Sequence, residues 1–286
     1  MGVQIAMKSG ALKPLIVTAD DFAQSADIDT GIIALILKNR VSAASCLTMS
    51  PRWPEASRLL TNEIRGLADI GLHLDFTQYA AYRHRLPILM ARAFLLSLPK
   101  KEILISINAQ LDRFEAALGT RPDYVDGHQH VHQLPQIREA LLEVLVKRYG
   151  NDLPWLRIAR PLKQDGFKGK VIAALGASVL ERQATDVGIK YTRHLLGVYG
   201  FDTSAASYLA CLDDWLSVAA GSGDAGFNNV HALMCHPAIV NDRDTPQKDD
   251  PIYAARAYEY EVLDGNDFGE LLARHQLQVS RGNVLS

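Results

Sequence analysis

Apolar residues along this chain fall into two alternating patterns. Short unbroken runs end in polar residues, and longer stretches repeat an apolar position every third or fourth residue. Leu15-Ile16-Val17 leads into Thr18-Ala19-Asp20-Asp21, the pattern of a buried strand with a polar tip. Ser25 then caps a helix in which Ile28, Ile32, Ile33, Ile36 and Leu37 keep helical spacing as far as Arg40. Residues 41–49 predict a second strand, stopped by Ser50-Pro51, and a helix follows from Pro54. Residues 67–75 (LADIGLHLD) predict a third strand that again ends in polar residues. Beyond it the rhythm breaks. Residues 76–99 mix Tyr79, Tyr82, His84 and Arg85 with leucines at no fixed period, which reads as a long loop or lid with broken helix.

The rhythm returns at 102–118, a helix stopped by Gly119. A short strand at 124–126 runs into Gly127-His128-Gln129-His130-Val131-His132. Further helices are expected at 136–149, 172–184, 208–219, 251–263 and 268–275, with strands at 155–159, 189–195, 230–235 and 277–280. Strand and helix alternate about seven times, as repeated βα units require. No repeat, low-complexity run or Pro/Gly/Ser linker divides the chain. The pattern predicts an α/β fold, a single TIM-barrel-like (β/α) barrel of parallel strands over residues 14–286 behind a flexible leader at 1–13. Its active site belongs at the C-terminal ends of the strands. An open doubly wound sheet is the other arrangement these units allow.

Composition narrows the function classes. Hydrophobic residues make up 48% and charged residues 22% of the 286, which suits a packed core and excludes disorder. Thirty Lys+Arg against 32 Asp+Glu leave a net charge of −2, so no basic field exists to hold nucleic acid. Cys46, Cys211 and Cys235 are few, scattered and set among apolar residues, as free thiols in a reducing compartment would be. The N-terminus lacks a secretory apolar core, and no uncharged stretch reaches the length of a membrane span. A cytoplasmic enzyme is the expectation.

Four polar clusters lie where strands end: Asp20-Asp21, His73 with Asp75, Asp126 with His128, His130 and His132, and His236. Each alone has a structural explanation. An acidic pair makes turns and caps, and a histidine in a buried strand can simply be hydrogen-bonded. At equivalent ends of one barrel, however, all four would converge. One carboxylate of Asp20-Asp21 could then bind a metal while the other accepts a proton, since neighbours in extended chain point to opposite sides. Asp21 plus two histidines makes a three-ligand site with open positions, the layout of catalytic metal centres. Asp126 could orient a ring, and His236 is a candidate general acid. Nucleophile elbows, Walker loops and dinucleotide-binding glycine motifs are absent.

In chain order, LIVTADDF, GIIALILKNRVSAAS, DIGLHLDFT, PDYVDGHQHVHQLPQI, RIARP and LMCHPA, followed by Tyr253, Arg256 and Glu259, resemble the YdjC/ChbG-like carbohydrate deacetylases from about residue 14 to residue 272. The resemblance implies a distorted barrel hydrolase, acting on linear amide C–N bonds, that removes acetyl groups from N-acetylated sugars with a divalent cation, Mg2+ or Zn2+. It assigns Asp21, His73 and His128 to the metal, Asp20 to the base and His236 to the acid. Arg157, Arg160 and His130 are candidate substrate-binding residues. The expected partner is a small N-acetylated sugar or a glycolipid head group, and the sequence leaves a homodimer open. Two departures stand out. The family usually has glycine where this chain has Ala23, and its glycine-rich stretch after GLHL is replaced here by 78–92. A metal-dependent phosphoesterase, using Arg157 and Arg160 over the phosphate, and a non-catalytic sugar-binding protein are the competing readings.

Overall fold

The computed structural model describes residues 11–162, 165–201, 204–221, 229–240 and 250–285. Its centre is β1 (Lys13–Phe22), which pairs in parallel with β2 (Ala43–Cys46) on one side and β7 (His231–Cys235) on the other. Its first residues also pair with β8 (Leu277–Val279). From β2 the sheet continues through β3 (Asp69–Leu74), β4 (Tyr124–Gly127) and β5 (Trp155–Leu156), and from β7 to β6 (Leu195–Leu196). The segment ahead of β6 closes the ring. Leu156 N–H donates to the Lys190 carbonyl, Thr192 N–H to Leu156 and Arg193 N–H to Val230. A distorted (β/α) barrel results, a barrel as the alternation of elements predicts and distorted as the family resemblance implies.

Around it lie α1 (Ala26–Leu37), α2 (Trp53–Ala56), α3 (Asn62–Leu67), α4 (Leu86–Phe94), α5 (Lys100–Leu118) and α6 (Ile137–Tyr149). The second half adds α7 (Gly166–Ala174), α8 (Ala177–Asp186), α9 (Ala205–Gly221), α10 (Tyr253–Asp264) and α11 (Asn266–Arg274). Among the described residues no helix is long and apolar enough to cross a membrane.

Several local expectations shift. β1 already begins at Lys13, inside the segment expected as leader, whose residues 1–10 lie outside the described residues. The helix expected at 172–184 is divided at Gly176, where φ is 120° and a side chain would meet Arg138 and the Gln133 carbonyl. The irregular 76–99 segment does contain a helix, α4.

Alternation along β1 sorts its side chains. Leu15, Val17 and Ala19 join the large cluster under the helices, while Ile16 meets Ala43, Tyr124, Trp155 and Val230. Tyr124 stacks on Trp155 with ring centroids 4.3 Å apart. Above this apolar floor the chemistry changes. Tyr124 Oη and Ser45 Oγ share a hydrogen bond at 2.7 Å, and Ser45 donates to Asp126 Oδ2 at 2.5 Å. A polar layer thus begins inside the barrel and rises toward the strand ends.

Candidate active site

Asp20 and Asp21 end β1 at an irregularity in its pairing with β2, and Asp21 takes a left-handed backbone with φ 68°. That kink overturns the opposite-sides expectation from extended chain. Asp20 Oδ2 lies 3.8 Å and Asp21 Oδ1 3.5 Å from the same atom, His73 Nε2. His73, at the end of β3, is fixed from behind, because its Nδ1 meets Asp126 Oδ1 at 2.6 Å. Its free nitrogen therefore faces the two aspartates.

After β4 the chain enters a tight turn in which Gln129 and His130 have φ values of 54° and 61°. The turn separates the three histidines. His128 Nδ1 reaches Asp21 Oδ1 at 3.0 Å. His130 lines the cavity. His132 turns under the loop, with Nε2 3.0 Å from the Arg157 carbonyl. Gly127 permits this, since a side chain there would strike the His132 ring. Asp75 builds a loop instead of the site, accepting the N–H groups of Thr77, Gln78, Tyr79 and Ala80.

Two buried arginines organise the carboxylates. Arg157, only 1% exposed, sets Nη2 2.7 Å from both Asp20 Oδ2 and Asp126 Oδ2 and donates to Thr18 Oγ1 at 2.8 Å. It was expected to touch substrate, but its donors are committed beneath the aspartates. Arg160 is also placed elsewhere, pairing with Glu181. Arg256, from α10, donates to Asp21 Oδ2 at 2.7 Å and to Asp250 Oδ2 at 2.6 Å. His236 follows β7 with Nε2 3.9 Å from Asp20 Oδ2 and Nδ1 3.7 Å from Glu259 Oε1. Its backbone N–H donates to Glu259, which also accepts from Tyr199 Oη at 2.5 Å. Arg256 and Glu259 belong to the family-like pattern of the sequence, which alone gives them no role. Their signal is two charges on the apolar stripe that ends at Leu263, at helical spacing.

Electrostatics follow from this packing. Burial would raise the Asp21 carboxyl, but Arg256, His128 and His73 prevail and hold it well below the usual range. Burial likewise opposes ionised Asp126, yet Arg157 and His73 keep it low. Burial disfavours a charged His73, but Asp126 and Asp20 push it up to about 10. A cation taking its place against His73 Nε2 must therefore expel a proton. Asp21, His73 and His128 offer one ligand atom each, all within 4.8 Å of one another, and Asp20, His73 and Asp126 form an overlapping group. Beside them Asp20 Oδ1 is buried without a hydrogen-bond partner among the described residues.

The site floors a cavity of about 860 Å³. Gln24, Thr77, Gln78 and Arg85 line its polar side, and Leu86, Met90, Ile172, Leu175, Val198 and Phe201 line an apolar one. The loop after Asp21 is tied down locally. Ala23 has φ 77°, its N–H donates to Asp29 Oδ1 at 2.6 Å, and its carbonyl accepts from Ser50 Oγ at 2.6 Å.

Comparison with known proteins adds four findings. The family model described as YdjC-like protein matches residues 14–274. The chain is 32% identical over 152 residues to a carbohydrate deacetylase of Mus musculus, covering 48% of each protein. It is 26% identical over 275 residues to a chitooligosaccharide deacetylase of Proteus mirabilis (strain HI4320), covering 93% of this chain and 96% of that one. Among solved structures, an Enterococcus faecalis V583 protein named for cellobiose-phosphate cleavage superposes with a TM-score of 0.69 at 22% identity, covering 96% of this chain and all of that one.

Proposed function

The chain belongs to the YdjC-like protein family, and from that premise we propose that it is a metal-dependent hydrolase that removes acetyl groups from N-acetylated sugars. The observation that carries this reading is the meeting of Asp20, Asp21, His73, His128 and His236 on one cavity floor. The names of the mouse and Proteus relatives point to the same substrate class.

The donor set fits a divalent cation. One carboxylate and two imidazoles would hold it at Asp21, His73 and His128, a mixture that favours zinc over the oxygen-demanding magnesium. Bound there, such an ion supplies polarisation of the acetyl carbonyl and a lowered pKa for water. The remaining work falls to the chain's own side chains. Asp20 is anchored through Oδ2 to Arg157, which leaves Oδ1 to accept a proton from the attacking water. His236 Nε2, on the Asp20 side, would protonate the sugar nitrogen as the C–N bond breaks. Acetate and a free amino sugar leave. Asp126 and Glu259 act as positioning residues, holding His73 and the backbone of His236.

A phosphoesterase would want free cations over its phosphate. Arg157 is committed to Asp20 and Asp126 and Arg160 to Glu181, and neither arginine lines the cavity, which weighs against these two as phosphate binders. The test is acetate release from diacetylchitobiose, set against phosphate release from sugar phosphates, with metal content measured alongside. His73→Ala should lose both bound metal and acetate release. Full metal content in that variant, or phosphate release alone from the unmodified protein, would overturn the reading.

A further inference from the structure

From Tyr82 to Lys101 the chain carries Arg83, Arg85, Arg92, Lys100 and Lys101 and no Asp or Glu, in a protein whose net charge is −2. The same segment holds four of the eleven large apolar side chains exposed among the described residues, Ile88, Phe94, Leu95 and Leu96. Leu95 is 77% and Leu96 67% exposed. This density of cations and bare hydrocarbon occurs beside the cavity.

α4 divides its side chains three ways. Leu89 and Ala93 pack into the core. Leu86 and Met90, four apart, line the cavity. Ile88, Ala91 and Leu95 follow the i, i+3, i+7 spacing of a single face and point outward. The turn after the helix is held firmly. Leu96 has φ 54°, and Arg92 braces it by accepting the Ser97 N–H at 2.9 Å and donating Nη2 to the Ser97 carbonyl at 3.1 Å. The leucines are thus presented by fixed backbone.

We propose that α4 and the turn after it dock on an anionic lipid bilayer and present the cavity to N-acetylated sugars carried on a hydrocarbon chain. The substrate half of this proposal rests on the deacetylase reading. An apolar face flanked by Arg and Lys is the composition of helices that lie in the membrane interface. Anionic head groups would neutralise the cations, of which only Lys100 has a carboxylate partner among the described residues, Glu143 at 2.6 Å. A second copy is a poorer occupant, because a two-fold contact sets the same cations against each other. The cavity agrees with a lipid-borne substrate. Its wall of Leu86, Met90, Ile172, Leu175, Val198 and Phe201 suits hydrocarbon, whereas an oligosaccharide carries hydroxyls around each ring edge and offers only small C–H faces to such a wall.

The test is co-sedimentation of the full chain with vesicles of equimolar phosphatidylglycerol and phosphatidylcholine, against phosphatidylcholine alone. Acetate release is measured in parallel from soluble diacetylchitobiose and from an N-acetylglucosaminyl lipid embedded in those vesicles. The protein should pellet with the anionic vesicles and come off as salt is raised. Leu95→Ser with Leu96→Ser should weaken that binding roughly tenfold or more, as should Lys101→Glu to a smaller degree. The leucine variant should keep its rate on diacetylchitobiose and lose it on the embedded lipid. No pelleting of the unaltered protein would overturn the docking face. So would self-association that the leucine variant abolishes. Equal rates of both proteins on the embedded lipid would overturn the substrate half. Vesicle binding without acetate release from either substrate would overturn the deacetylase reading and leave the docking face standing.

Discussion

Asp20 and Asp21 are adjacent in sequence and differ in what holds them. Asp21 is pinned at Oδ2 by Arg256 and turns Oδ1 to His73 and His128. Asp20 is pinned at Oδ2 by Arg157 and leaves Oδ1 without a partner among the described residues. Asp20→Asn keeps the shape and an oxygen for Arg157 but cannot take a proton from water. It should retain near-normal metal content while turnover falls by roughly 10²–10⁴-fold. Metal analysis showing an emptied site would mean that the two aspartates share the ligand role. The candidate residues were legible because each lies at a strand end, where barrel geometry brings distant positions together. The purpose of Arg157 was not. An arginine after a strand looks the same in sequence whether it reaches substrate or turns under a carboxylate, and only the packing of β1, β4 and β5 decides.

At the scale of elements, the hydrophobic rhythm located most strands and helices, and it failed where pairing is carried by few residues. β5 and β6 have two residues each, and much of the closure between them runs through irregular chain at 190–193. Nothing periodic marks such a closure, but a glycine does. Gly197 follows β6 with φ 89°, and a side chain there would run into the Met234 backbone of β7. Gly197→Ala should therefore cost about 2–4 kcal/mol, combining a disfavoured backbone with a steric clash. Urea denaturation measures it, and a loss below about 1 kcal/mol would mean that β6 shifts without cost. Ala23 is the opposite case. A left-handed alanine is strained by roughly 1 kcal/mol, but burial of its methyl returns about 0.8 kcal/mol. The two terms nearly cancel, so the chain tolerates alanine where its family usually has glycine.

Across the whole molecule the buried histidines pull stability in opposite directions with pH. His73, raised to about 10 by Asp126 and Asp20 against its burial, binds a proton more tightly in the folded ion-free protein than in the unfolded chain. Its contribution is full below pH 6.5 and is lost as pH rises toward 10. His132 behaves in reverse. Burial first, then the charge of Arg157, lowers it to about 3, and its Nδ1 has no hydrogen-bond partner among the described residues to receive an added proton. Unfolding lets it take up that proton, so its contribution is intact above pH 6.5 and declines as pH falls toward 3. His231, lowered to about 4 by burial and by His194, adds to the same trend. Between pH 6.5 and 5 ordinary carboxylates stay mostly ionised, so the decline there belongs to the histidines: His132 and His231, His130, which burial and Arg157 hold well below its ordinary value, and His194 and His84, which burial also lowers. One such group costs about 1.4 kcal/mol per pH unit, or about 2 kcal/mol over that interval. His132→Gln keeps a donor for the Arg157 carbonyl and removes the titrating ring. Its melting temperature should fall less steeply over that interval than that of the unaltered protein, by the equivalent of about 2 kcal/mol. Parallel melting curves for the two proteins would show that His132 takes no part in acid sensitivity.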